Sequence, residues 1–146
     1  MQSESQVADI ARVIQLSVAP VFLLMAVCSL MGVLAGRLAR IIDRARVLEE
    51  LLHDATDERP THLHDDLSTL SRRARLTNLG MTLSVAAALF VGAVIITLFA
   101  SSIFHVDLTL EVSGLFIAGL VMLLGALLAF LREIRTASLA LRIGPH

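Results

Sequence analysis

Charged and apolar residues are segregated along this chain. Three stretches, 16–36, 79–104 and 112–131, hold no Asp, Glu, Arg, Lys or His. About 20 residues at 1.5 Å each cover the roughly 30 Å hydrocarbon core of a bilayer, so each stretch reads as a membrane-spanning helix. The expected fold is all-α with three transmembrane helices. Residues 37–78, between the first two spans, are polar but keep a helical apolar stripe. Leu38, Ile41, Ala45, Leu48 and Leu52 step by three or four. After a breaker at Thr56–Pro60, Leu63, Leu67, Leu70 and Ala74 resume the pattern, with Thr61 suited to the N-cap. Helices 1 and 2 should therefore extend into a cytoplasmic antiparallel helical hairpin. Its facing positions sum to about 117, which sets Arg37 opposite Gly80.

The flanks complete a single membrane domain over residues 1–146. Val7, Ile10, Val13 and Ile14 make residues 1–15 an amphipathic lead-in helix. This segment is too acidic for the start of a signal peptide, and the apolar run after it is too long, so the first span is expected to be retained. Residues 105–111 form a short external loop, where Asp107 or Thr109 can cap the third helix and Glu111 lies near its positive end. The tail, 132–146, continues the helix to around Leu141, and Gly144-Pro145 ends it.

Hydrophobicity gives little drive for helix association in lipid, so close approach at small residues takes its place. Cys28, Gly32 and Gly36 share one face of the first span, and Ser84, Ala88 and Gly92 one face of the second. Gly114, Ala118, Gly125 and Ala129 mark the third. These are the expected helix-packing residues. Three helices can bury only some of them against each other, so homo-oligomers are expected. Pro20 removes one backbone hydrogen bond and should bend the outer end of the first span; the alternative reading is a functional hinge.

Composition agrees with a membrane protein. The hydrophobic fraction is 56% and the mean hydropathy +0.80, both well above a soluble domain. Without Trp or Tyr there is no aromatic belt, and Arg, present without any Lys, must anchor the interface. Arg is concentrated in 37–78 and in the tail and is missing from 105–111. By the positive-inside rule, the hairpin and C-terminus face the cytoplasm and the N-terminus faces out.

Arg37, Arg40, Arg44, Arg46, Arg72, Arg73, Arg75, Arg132 and Arg135 form a basic collar with only Asp43 and Glu133 as counter-charges. The hairpin tip is acidic. The collar would hold anionic lipid headgroups, at about 1 kcal/mol per well-placed Arg before screening. The alternative is a vestibule that concentrates anions, or a site for an acidic partner. Asp43 is expected to bridge to Arg73 or Arg75 and lock the base of the hairpin.

Candidate chemistry is sparse. His62, His64, Asp65 and Asp66, with His53 and Asp54 across the turn, are the only ligand-like cluster. His62 and His64 point about 200° apart on a helix and cannot chelate together, so a solvated acidic tip is preferred and no metal is expected. The spans carry no ionisable group for coupled transport. No P-loop, HExxH, GxSxG or dinucleotide fingerprint occurs. An enzyme is not expected, nor a cofactor, nor a nucleic-acid partner. Cys28 is the single cysteine, so no intrachain disulfide can form.

The first span, the run Arg37-Leu38-Ala39-Arg40-Ile41-Ile42-Asp43-Arg44-x-Arg46-x-Leu48, the polar hairpin and two further spans together resemble a bacterial family of small membrane proteins catalogued as domain of unknown function 2721. The resemblance covers most of the chain. It implies the three-span layout in a bacterial inner membrane and transfers no activity, ligand or catalytic residue to any position. The expected function is a non-enzymatic, homo-oligomeric structural or regulatory module whose hairpin meets lipid or a cytoplasmic protein. The alternative is a homo-oligomeric ion channel or pore, with Gln15, Ser17, Asp107 and Glu111 at its mouth. The apolar middle of every span weighs against an open pore but permits a hydrophobic gate.

Overall fold

The structure is a computed structural model that describes residues 2–54 and 60–140, with the side chains of 2–6, 9, 51–54, 60–67 and 138–140 outside the description. The described residues form three helices: α1 (Gln2–Asp54), α2 (Pro60–Phe104) and α3 (Thr109–Ala140). Each is long and apolar enough to cross a membrane, with best-window mean hydropathies of 2.4, 2.5 and 2.6. The lead-in and the first span are one uninterrupted helix that continues through Pro20. Proline occurs again as the first residue of α2, where its missing N–H has no helical partner to lose. The cluster expected around His53, Asp54, His62, His64, Asp65 and Asp66 lies outside the described side chains.

The apolar surface is directed outward. Only 17%, 22% and 17% of the three span windows is buried inside the protein. Leu89, Ile96, Phe104 and Leu110 are each at least 70% exposed. So much contiguous apolar surface suits lipid and would drive association in water.

Burial repeats every seven residues. On α1 the buried positions Pro20, Val27, Leu34 and Ile41 follow this step. On α2 it gives Leu70, Thr77, Ser84 and Val91, and in parallel Gly80, Ala87 and Val94. On α3 it gives Gly119, Ala126 and Glu133. This is the period of helices that cross at a shallow angle and pack knobs into holes.

The chain divides into two compact units. One comprises Met1–Leu30 with Leu83–Leu124, the other Met31–Thr82 with Gly125–His146. In the first, α2 and α3 meet at Gly119. A Cβ there would lie 3.3 Å from the Cβ of Phe90, 3.4 Å from Val91 Cγ2 and 3.6 Å from the carbonyl oxygen of Ala87. In the second, Leu34 of α1 lies against Gly80 of α2, where a Cβ would stand 3.4 Å from Leu34 Cδ1 and 3.6 Å from the Ala126 carbonyl of α3. Leu34, not Arg37, thus meets Gly80, about one helical turn from the register expected from the sequence.

Hydroxyls along the helices mostly bond back to their own backbone. Thr82 donates to the Asn78 carbonyl and Thr97 to that of Ala93, at 3.0 and 2.8 Å. Ser101 instead donates to the Val106 carbonyl at 2.7 Å, in the connection where His105 turns the chain with φ of 51°. Asp107 caps α3: its Oδ1 accepts from the Thr109 hydroxyl at 2.6 Å and the Thr109 N–H at 3.1 Å. Those two bonds, the hydroxyl's first, hold its carboxyl below the ordinary value of 3.8.

Two outcomes follow from this geometry. Gly119→Leu should lower the thermal midpoint in detergent through an overpacking cost of about 1–3 kcal/mol. Gly114→Leu should leave the midpoint of the single, dissociated chain unchanged, because within it a Cβ at Gly114 meets nothing within 4 Å. For Asp107, a folded value below the unfolded one means that its cap is fully present above about pH 4 and is lost as pH falls through the folded value. Its carboxyl resonance should titrate with a midpoint below 3.8, and Thr109→Val should move that midpoint up.

Candidate functional site

One acid in the described chain is completely enclosed. Glu133, on the α3 stripe that carries Gly119 and Ala126, has 0% exposure. It draws in one arginine from each of the other two helices. Arg73 of α2 donates through Nε at 3.1 Å and Nη2 at 3.0 Å, both to Oε1. Arg37 of α1 brings its Nε to 3.1 Å from Oε2. This second approach is an ion pair without a well-directed hydrogen bond, since Oε2 is buried and accepts none. The Arg37 guanidinium also lies over the Phe130 ring, 5.2 Å from its centroid, a cation–π contact that further fixes the side chain.

Local structure puts these groups together. Arg37 lies between Leu34 and Ile41, three and four residues away on the same buried face of α1. Arg73 precedes the buried Gly80 by one seven-residue step. Thr77, fully buried one turn from Arg73, donates its hydroxyl to the Arg73 carbonyl at 3.0 Å. Both arginine side chains remain partly open, at 29% and 22%, while that of Glu133 is at 1%. The carboxylate is therefore enclosed and the cations reach outward past it.

The expected bridge from Asp43 to Arg73 or Arg75 is not formed. Asp43 is exposed and has no ion pair among the described residues, and Arg73 pairs with Glu133 instead. The reason is angular. Asp43 is two residues past the buried Ile41, about 200° around the helix, so it faces away.

The other collar arginines, Arg40, Arg44, Arg46, Arg72, Arg75, Arg132 and Arg135, are exposed. Gly32 and Gly36, with Arg37, Arg40, Arg44 and Arg73, line a groove of about 590 Å³. Of the expected packing residues, Ser84 and Ala129 are buried, and Ala88, Ala118 and Gly125 are half-buried. Cys28 is exposed, and a Cβ at Gly32, Gly36, Gly92 or Gly114 would meet nothing within 4 Å. The close contacts fall on Gly80 and Gly119, which are not among the expected packing residues.

Ser17 is buried and donates to the Val13 carbonyl at 2.8 Å. Gln15, Asp107 and Glu111 are exposed.

A family model described as a protein of unknown function (DUF2721) matches residues 17–143. This range takes in Arg37, Arg73 and Glu133 together. No curated protein and no solved structure matches the chain.

The cluster makes a directional prediction. Removing one member of a buried ion pair costs about 3–5 kcal/mol, because the partners keep their charge. Glu133→Gln should therefore lower the thermal midpoint in detergent sharply, whereas Asp43→Asn should leave it unchanged. The triple substitution Arg37→Met, Arg73→Met, Glu133→Leu should recover much of the loss, since an apolar replacement leaves no charge stranded.

Proposed function

The chain belongs to the DUF2721 family of proteins of unknown function, and we propose that it is a non-enzymatic, multi-pass protein of the bacterial inner membrane. In this reading it self-associates, and α1 and α2 continue past the bilayer as a cytoplasmic hairpin that serves as a structural or regulatory module. The observation that carries the proposal is the position of the buried cluster. Arg37 directly follows the uncharged stretch 16–36, and Glu133 comes two residues after 112–131. The cluster thus marks the level where the spans leave hydrocarbon, and it ties the root of the hairpin to α3.

The distribution of arginine supports a cytoplasmic hairpin and an external N-terminus, through the positive-inside rule. Self-association is supported by the small positions against which no other helix of the chain packs closely, Gly92 and Gly114 among them. A pore has less support, because Ser17 is buried and bonded to its own helix and Asp107 is engaged as a cap.

Single cysteines in a Cys28→Ser background test this reading. A thiol reagent that does not cross membranes should label Val106→Cys in intact cells, and Glu49→Cys only after permeabilisation. Crosslinking in native lipid should yield species larger than one chain. Reversed labelling would overturn the orientation, and a strictly monomeric protein would overturn self-association.

A further inference from the structure

We propose that the groove beside the Arg37–Arg73–Glu133 cluster binds an anionic membrane lipid, with the lipid phosphate on Arg40 and Arg44 and an acyl chain along the surface at Gly32 and Gly36. Its volume, about 590 Å³, is within the range of small-molecule sites. Gly32, Gly36, Arg40 and Arg44 follow one another every four residues, so one side of the groove is a single face of α1 that turns from bare backbone to cation. A Cβ at either glycine would meet nothing within 4 Å, which leaves room for a chain to lie against the helix.

The charge of the groove favours a phosphate. Four arginines line it, and among the described residues Glu133 is the only carboxylate paired with any of them. Arg40 and Arg44 are exposed and have no ion pair among the described residues. Arg37 and Arg73 direct only part of their five N–H donors at Glu133 and remain partly open. Guanidinium forks match the oxygens of a phosphate.

The groove's two ends select the source of that phosphate. A soluble anion would use the arginine end alone and leave the glycine floor bare. A lipid uses both, because Gly32 to Arg44 spans about 18 Å along the helix, enough for a headgroup and the upper part of a chain. A second copy of the chain would bring its own arginines against these, which costs energy through like-charge repulsion. The inference rests on the collar lying at the membrane surface, and it does not depend on self-association.

The test uses the full chain purified in neutral detergent, with phosphatidylglycerol, phosphatidylcholine and inorganic phosphate as probes. Native mass spectrometry and thermal shift should show selective retention of phosphatidylglycerol and stabilisation by it. Arg40→Ala with Arg44→Ala should weaken that binding about tenfold or more. Gly36→Leu should weaken it too, by filling the floor. Arg46→Ala with Arg72→Ala, which removes two collar arginines outside the groove, should leave it unchanged. All these variants keep the buried cluster, and circular dichroism checks that they fold.

Equal weakening by the Arg46/Arg72 pair would overturn the proposal in favour of diffuse surface charge. Stabilisation by inorganic phosphate with no added effect of phosphatidylglycerol would overturn it in favour of a soluble anion. If Gly36→Leu dissociated oligomers and left lipid binding intact, the occupant would be a second copy. Reversed thiol labelling, by contrast, would undo the orientation and leave the binding result standing.

Discussion

A carboxylate enclosed by protein must be neutralised where it stands, and here that requirement falls on arginines from two other helices. Glu133 has no exposed surface, and Arg73 and Arg37 reach its two oxygens. Desolvating an ion costs several kcal/mol, which is offset only by close, well-placed partners. One acid on α3 therefore fixes what stands beside it on both α1 and α2. Around it, Leu34, Gly80 and Ala126 pack within the same unit.

An apolar seam alone would set this arrangement poorly. Apart from Glu133, the buried positions at seven-residue steps are uncharged, mostly small or aliphatic, and a shift of one step replaces one such residue with another. In lipid such a shift loses little, since the surroundings are as apolar as the seam. The ionic cluster is not degenerate in this way. On α2 a seven-residue step would put Asp66 or Gly80 in the place of Arg73, so Glu133 fixes the register there, as a polar residue at a core position does in coiled coils. Gly80 then allows the close approach of Leu34 in the same unit.

Much of the architecture was legible in the sequence because charge is expelled from hydrocarbon. The three helices and the cap at Asp107 follow from that rule and from local turn chemistry. What was not legible is which face of each helix points inward. In a soluble protein apolarity marks the inside, but in these spans both faces are apolar and only residue size distinguishes them. Size alone does not say which small positions meet another helix of the same chain: a Cβ at Gly32, Gly36, Gly92 or Gly114 would meet nothing within 4 Å there. The same gap explains Asp43. It and Glu133 were the two acids of the collar, and choosing between them required the buried stripe. Glu133 comes seven residues after Ala126 and fourteen after Gly119, whereas Asp43 lies off the Leu34–Ile41 face.

The cluster is not neutral, and its surplus has a direction. Two guanidinium charges meet one carboxylate, and Arg40 and Arg44 add two more along the same groove. Glu133 is sealed, so it cannot serve as counter-ion for the outer pair, while the partly open faces of Arg37 and Arg73 extend the positive surface outward. In water, mobile ions would screen such an excess within about 8–10 Å. Glu133 thus has two effects: it holds three helices together, and it orients two arginines whose outer faces stay partly open.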